Sequence, residues 1–139
     1  MYMLFAELMA KHLGTHGTTF GGSPLACALG HYVLSKLKSP GTVNQITESS
    51  RYLIGRLEQL TRLFPDVVES RIRGRGLILG LGFKNANHPG RVVEMARERG
   101  VLLLTAGKDA VRLVPSLTIG RGEVDEAVDV LETCVGKVN

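Results

Sequence analysis

The chain has 139 residues with a hydrophobic fraction of 44% and a formal net charge of +4. This length and composition suit one ordinary domain with an apolar core, and they exclude a disordered or collagen-like chain. The basic residues are scattered apart from Arg71, Arg73 and Arg75, and aromatic residues make up only 5%, so ordinary surface charge is favoured over a nucleic-acid interface.

The cysteine content and the hydropathy of the chain exclude further classes of protein. Cys27 and Cys134 are far apart in the sequence and form no CxxC pair, so two reduced thiols in a reducing compartment are predicted. No segment is long and apolar enough to span a membrane. Residues 1–13 contain Glu7 and Lys11 and lack the pattern of a signal peptide.

The first third of the chain predicts helices around a glycine-rich segment. Residues 2–12 are compatible with a short helix, and residues 14–22 contain too much glycine for a helix interior. Ser23 and Pro24 suit the N-cap and first position of a helix over residues 24–38. The first half of this helix is apolar almost all round, which predicts deep burial.

The remaining elements follow from changes in hydrophobic period. Ser39-Pro40-Gly41 ends the first helix, and apolar residues at spacings of three and four predict a second. Short apolar runs then predict strands, with turns at residues 73–76 and 106–109. The predicted helices are 43–63, 89–99 and 123–138, and the predicted strands are 67–72, 77–83, 101–104 and 111–114. Helices followed by a small α/β unit are therefore expected.

The glycine-rich segment is a candidate phosphate cradle. Glycines let the backbone approach an anion, hydroxyl groups can donate to it, and the following helix N-terminus favours negative charge. No Lys-Ser or Lys-Thr pair follows, so the segment is not a P-loop, and no convincing strand precedes it as in a dinucleotide fingerprint. The alternative is a glycine turn that leads into a helix.

One long string runs from the glycine-rich segment into the following helix and reads His16-Gly17-Thr18-Thr19-Phe20-Gly21-Gly22-Ser23-Pro24-Leu25-Ala26-Cys27-Ala28. This string resembles a signature of the class III aminotransferases. Residues 73–77, 104–108 and 111–117 are similar to the C-terminal portion of the acetylornithine type, so the resemblance runs from about residue 14 to the end. Ser23 stands where the family usually has Asn, and both residues cap helices. Details at residues 32–34 and 105–107 look most like the fungal mitochondrial versions.

The resemblance implies a pyridoxal 5'-phosphate cofactor and specific residue roles. Thr19 matches the threonine that holds the cofactor phosphate across the interface of a homodimer. Thr18 would be a secondary phosphate contact, and Gly17 would leave room for the approach. Arg112 matches the arginine that pairs with the substrate carboxylate through its planar fork of donors. The alternative for Arg112 is a salt bridge inside its own domain, and His16 is expected to be a hydrogen-bonded loop residue.

The resemblance also implies a fold and a domain division. The expected fold class is α/β, with an α+β-like small domain, as the C-terminal portion of a fold-type-I transferase that depends on pyridoxal phosphate. Residues 1–41 would be a remnant of the large cofactor-binding domain. Residues 42–139 would form the small domain, a short and mostly antiparallel sheet covered by helices.

The family's Schiff-base lysine has no counterpart in this sequence, so no catalytic residue is assigned. Lys11 lacks the family context, and the acidic and aromatic partners of the cofactor ring are absent too. The chain is expected to be a fragment, a truncated product or a degenerate copy without transaminase activity alone. The complete enzyme would move an amino group from N-acetylornithine to 2-oxoglutarate in arginine biosynthesis.

Two alternatives stay open. The first is a non-catalytic remnant that binds a partner, because the apolar helix at 24–38 would lack the large domain that normally covers it. The second is a relative that acts on ornithine or 4-aminobutyrate. A mitochondrial matrix location is expected from the fungal resemblance alone, and no metal, nucleic acid or membrane is expected as a partner.

Overall fold

The computed structural model of the chain describes residues 19–138. The chain divides into two compact units, Met1–Ser39 and Pro40–Asn139. The predicted helix at residues 2–12 lies outside the described range. Of the first unit, the structure describes residues 19–39. The assignment of residues 1–41 to a large domain and of residues 42–139 to a small domain stays a prediction.

The first unit contains a turn at residues 19–22 and helix α1, Pro24–Leu37. Gly22 has a φ of +79°, a value that glycine adopts without a steric penalty. The Ser23 hydroxyl accepts a hydrogen bond from the Ala26 N–H at 3.3 Å, and Pro24 occupies the first turn. The predicted cap of this helix is therefore confirmed.

The predicted deep burial of the first half of α1 is wrong for this chain. Leu25 is 71% exposed and Leu29 is 57% exposed, and the helix buries none of its residues. An apolar sequence shows only which environment the side chains favour. Burial also needs a surface to pack against, and residues 19–39, the described part of the first unit, offer none that buries α1.

The second unit is a four-stranded antiparallel sheet with three helices. The strands lie in the order β1-β2-β4-β3, and every neighbouring pair is antiparallel. The elements are α2 Pro40–Leu63, β1 Val68–Arg75, β2 Ile78–Phe83, α3 His88–Glu98, β3 Leu104–Ala106, β4 Ala110–Leu113 and α4 Arg121–Gly136. This architecture confirms the predicted small unit with a short antiparallel sheet.

Three predicted boundaries were wrong in ways that matter. Helix α2 begins at Pro40 rather than residue 43, because proline suits the first turn of a helix. Strand β1 continues through Arg75, which pairs with Ile78, so the predicted turn at 73–76 is mostly strand. Strand β3 lies at Leu104–Ala106 rather than 101–104, because its pairing with β4 across the Gly107 turn fixes its position.

One face of the sheet packs with the helices into a single core. Leu79, Leu81 and Phe83 of β2 are each at most 2% exposed. They share the core with apolar residues of all three helices, among them Leu57 of α2 and Val128 of α4. Burial of a leucine or phenylalanine side chain stabilises a fold by about 2 kcal/mol, so this face supplies much of the driving force for folding.

The alternate positions of the same strands lie on the other face, called here the outer face. Ile78 of β2 is 62% exposed, in contrast to its buried neighbour Leu79. This alternation follows from the two-residue period of a β-strand. Within residues 19–138, no helix is both long and apolar enough to cross a membrane.

Candidate functional site

Two arginines lie in one row across the outer face of the sheet. Gly80 of the central strand β2 pairs with Arg73 of β1 on one side and with Arg112 of β4 on the other. Leu104 of β3 completes the row as the partner of Arg112. Directly paired residues point to the same face, and neighbouring strands are about 5 Å apart. The two arginine backbones are therefore about 10 Å apart, with a glycine between them.

Arg73 is held by two carboxylates. Its guanidinium donates to both oxygens of Glu69 at 2.8 Å and to Asp109 at 2.8 and 3.2 Å. Glu69 lies on the same strand, whereas Asp109 immediately precedes β4. This Glu69–Arg73–Asp109 cluster therefore connects one edge strand to the turn that leads into β4.

Glycines on β2 make room for the cluster. A Cβ atom at Gly82 would overlap the Glu69 carboxylate. A Cβ atom at Gly80 would lie 3.6 Å from the Cβ of Arg73, in ordinary contact. The bare backbone at Gly82 thus allows the Glu69 carboxylate to lie close against the sheet beside Arg73.

The ion pairs of the cluster shift the pKa of Arg73 and of Asp109. The hydrogen bonds that the Arg73 guanidinium donates to Asp109 and Glu69 raise the pKa of Arg73. The Arg73 hydrogen bond lowers the pKa of Asp109 below its ordinary value. Arg73 and Asp109 therefore stay ionised near neutral pH, and the two carboxylates of the cluster lie within ion-pair distance of the Arg73 guanidinium.

Arg112 differs from Arg73 in its surroundings. Its side chain is exposed on the outer face, next to the apolar Leu104 and the bare Gly80. Among residues 19–138, no carboxylate lies within ion-pair distance of it. The alternative of an internal salt bridge is therefore not realised in this part of the chain, and the Arg112 guanidinium is available to an anionic ligand.

The remaining predicted residues are in the first unit. Thr19 lies in the exposed turn before α1, where the Ser23 N–H donates to the Phe20 carbonyl at 3.2 Å. Thr18, Gly17 and the loop histidine His16 lie outside the described range. Thr19 and Arg112 thus belong to different units, and the surroundings of each residue are described within its own unit.

The two carboxylate partners of Arg73 were missed by the sequence analysis, which grouped Arg73 with Arg71 and Arg75. Glu69 precedes Arg73 by four residues, a spacing that gave no signal because this segment reads as a strand rather than a helix. Asp109 is 36 residues away from Arg73. Only the antiparallel pairing brings that carboxylate to the outer face.

Substitution of Asp109 by Asn is expected to reduce the pH dependence of stability in acid. Because Arg73 lowers the pKa of Asp109, the ionised carboxylate stabilises the fold fully above its ordinary pKa of about 4, and this contribution is lost as the pH falls through the lowered pKa. Urea unfolding at low salt should show a steeper loss of free energy below pH 4 in the wild type than in Asp109→Asn. Asp66→Asn, an exposed control outside the cluster, should follow the wild type. Parallel curves for the wild type and Asp109→Asn would contradict the coupling.

Comparisons with known proteins show which family the chain belongs to. Residues 3–135 match the family Aminotransferase class-III. The chain is 42% identical to the mitochondrial acetylornithine aminotransferase of Neurospora crassa, covering 86% of this chain and 25% of that protein. It is 40% identical to the mitochondrial enzyme of that name from Saccharomyces cerevisiae, covering 93% of this chain and 30% of that protein.

Solved structures agree with the sequence relatives. The N-acetylornithine aminotransferase of Stenotrophomonas maltophilia is 32% identical with a TM-score of 0.74, covering 83% of this chain and 32% of that one. A lysine aminotransferase from M. tuberculosis is 26% identical with a TM-score of 0.79, covering 96% of this chain and 31% of that one. The chain thus spans about a quarter to a third of the length of these relatives. The predicted family is confirmed: the chain belongs to the class III aminotransferases.

Proposed function

We propose that this chain is part of an enzyme that moves an amino group from N-acetylornithine to 2-oxoglutarate, and that Arg112 binds the substrate carboxylate. The observation that carries the proposal is the exposed Arg112 guanidinium, which has no carboxylate partner among residues 19–138. The fungal relatives at about 40% identity support the choice of substrate. The packed sheet fixes the backbone of Arg112, and its guanidinium can bind a carboxylate through two parallel hydrogen bonds.

The turn before α1 would hold the phosphate of pyridoxal 5'-phosphate. Thr19 is exposed there, and the positive φ of Gly22 reverses the chain next to it. An exposed hydroxyl in such a turn fits a phosphate oxygen, so the part of the site that the structure describes is compatible with the cofactor. Thr18 and Gly17 would add a second contact and space for the approach. When bound, the cofactor supplies the electron sink for amino-group transfer.

The chain alone is proposed to be inactive, because none of its described lysines suits covalent catalysis. A lysine that forms a Schiff base is usually desolvated or placed next to another cation. All lysines between residues 19 and 138 are exposed instead; they are Lys36, Lys38, Lys84, Lys108 and Lys137. The covalent step would therefore come from another part of a complete enzyme, which we propose is a homodimer of the mitochondrial matrix. The location is supported by the fungal relatives, whose names call them mitochondrial.

A second candidate function is a non-catalytic chain that binds a partner. The exposed apolar face of α1 favours it, since Leu25 and Leu29 are more than half exposed and Tyr32 is 59% exposed. Apolar surface of this kind marks an interface or a risk of aggregation. A relative that acts on ornithine, 4-aminobutyrate or lysine is the remaining possibility, and a solved lysine aminotransferase with a TM-score of 0.79 is consistent with it.

A chimera tests the role of Arg112. Residues 19–138 would replace the matching segment of the Saccharomyces cerevisiae relative. In this background Arg112→Ala should lower kcat/KM for N-acetylornithine by a factor of roughly ten to a thousand, as expected for a lost charged hydrogen bond. Arg75→Ala is the matched control, because Arg75 is also an exposed arginine of the sheet, and it should retain the parent kinetics. Unchanged kinetics in Arg112→Ala would refute the assignment.

The same chimera tests the role of Thr19. Thr19→Ala removes one hydroxyl that would bind the cofactor phosphate, so the variant should lose pyridoxal phosphate faster during dialysis, as measured by the absorbance of the retained cofactor. Thr118→Ala, an exposed threonine in a loop of the second unit, should retain the cofactor as the parent does. Equal retention in Thr19→Ala and the parent would count against the phosphate assignment.

A further inference from the structure

A cleft of about 430 Å³ lies on the helical side of the second unit, between α2 and the start of α4. One face of α2 lines it with residues at spacings of three and four, from Glu48 to Gln59. Arg121, the first residue of α4, lines the opposite side. None of its lining residues belongs to the sheet row that contains Arg112.

We propose that this cleft binds a small dianionic molecule through Arg51 and Arg121. Neither guanidinium has a carboxylate partner among residues 19–138. Both residues are exposed and line the same cleft. Two uncompensated guanidiniums at one concave site match a ligand with two negative charges, since each offers several donors to phosphate or carboxylate oxygens.

The third arginine of the cleft has a structural role. Arg56 donates to Asp125 at 2.6 Å and to Asp129 at 2.7 Å, so its charge is already compensated. The Tyr52 hydroxyl also donates to Asp125, at 2.7 Å. These bonds connect α2 to α4 and fix the separation of the two sides of the cleft.

Tyr52 also positions one of the free cations. The Arg121 guanidinium lies over the Tyr52 ring, 5.1 Å from its centroid. Contact with the ring face restrains a guanidinium without neutralising its charge. Arg121 is therefore held at the cleft with its hydrogen-bond donors still available to a ligand.

Gly55 is an independent sign that the cleft is kept open. It lies in the interior of α2, where glycine is among the least favourable residues. A Cβ atom at this position would meet nothing within 4 Å, and Gly55 does not have a positive φ. Neither packing nor backbone conformation requires glycine here. Its missing side chain leaves space in the cleft.

Among residues 19–138, Glu48 is the one carboxylate that lines the cleft. It lies seven residues before Gly55, which corresponds to about 10 Å along the helix. Its negative charge opposes a dianion at that end of the cleft. The proposal therefore predicts that removal of this charge strengthens binding.

The test is a titration of the full ¹⁵N-labelled chain with inorganic pyrophosphate, followed through backbone amide shifts, with glutarate in a parallel titration. Saturable shifts at the cleft residues of α2 and α4 are expected with at least one probe. A response to pyrophosphate alone would assign the site to phosphate compounds, and a response to glutarate alone would assign it to dicarboxylates. No saturable shift with either probe would overturn the proposal.

Substitutions separate a specific site from general charge attraction. Arg51→Gln and Arg121→Gln should each raise the Kd roughly tenfold or more. Arg91→Gln removes the same charge from the exposed surface of α3, outside the cleft, and should leave the Kd nearly unchanged. Equal weakening in all three variants would show non-specific attraction and overturn the proposal.

Two further variants test whether Glu48 weakens ligand binding and whether Gly55 favours it. Glu48→Gln should lower the Kd, because it removes a negative charge from the cleft. Gly55→Ala should raise both the Kd and the melting temperature, because alanine favours the helix and its methyl group takes up part of the space for the ligand. A Gly55→Ala chain that is more stable and binds with an unchanged Kd would contradict the role of the open space. Because Arg112 does not line the cleft, these outcomes are independent of the proposed transferase function.

Discussion

The sheet of the second unit depends on a strict division between its two faces. Along β2, Leu79 and Leu81 point into the core with at most 2% exposure, whereas Gly80 between them faces outward. A shift of one residue in the register of β2 would turn these leucines to the outer face. The same shift in β1 or β4 would turn Arg73 or Arg112 into the core, at a large cost in desolvation. Burial of one face therefore fixes the positions of Arg73 and Arg112 on the other.

The two arginines share a row but not an environment. Glu69 and Asp109 compensate the charge of Arg73, and Gly82 leaves the space in which the Glu69 carboxylate lies. Arg112 has no such partner in the described part of the second unit. The paired guanidinium of Arg73 connects β1 to the turn before β4, whereas the unpaired guanidinium of Arg112 has its hydrogen-bond donors available to a ligand. The structure thus gives a physical reason to separate the two roles.

Much of this arrangement could be predicted from local patterns, but the partners could not. Apolar spacing identified α2 and α4, and Ser23-Pro24 identified the start of α1. The spacing failed for β3, because a three-residue strand is defined by its pairing partner rather than by its own sequence. Asp109 is far from Arg73 in the chain, so its role emerged only from the sheet. The role proposed for Thr19 rests on family resemblance and stays a prediction.

The central claim is that this chain contributes binding groups but not the covalent chemistry of an aminotransferase. The most direct measurement is to add pyridoxal phosphate to the purified chain, reduce with borohydride, and map modified peptides by mass spectrometry. The account predicts no stoichiometric adduct at a single lysine and no absorbance band that survives dialysis, because Lys36, Lys84 and the other described lysines are exposed. A stoichiometric adduct at one lysine, such as Lys11, would contradict the account and show that the chain itself has a covalent cofactor site.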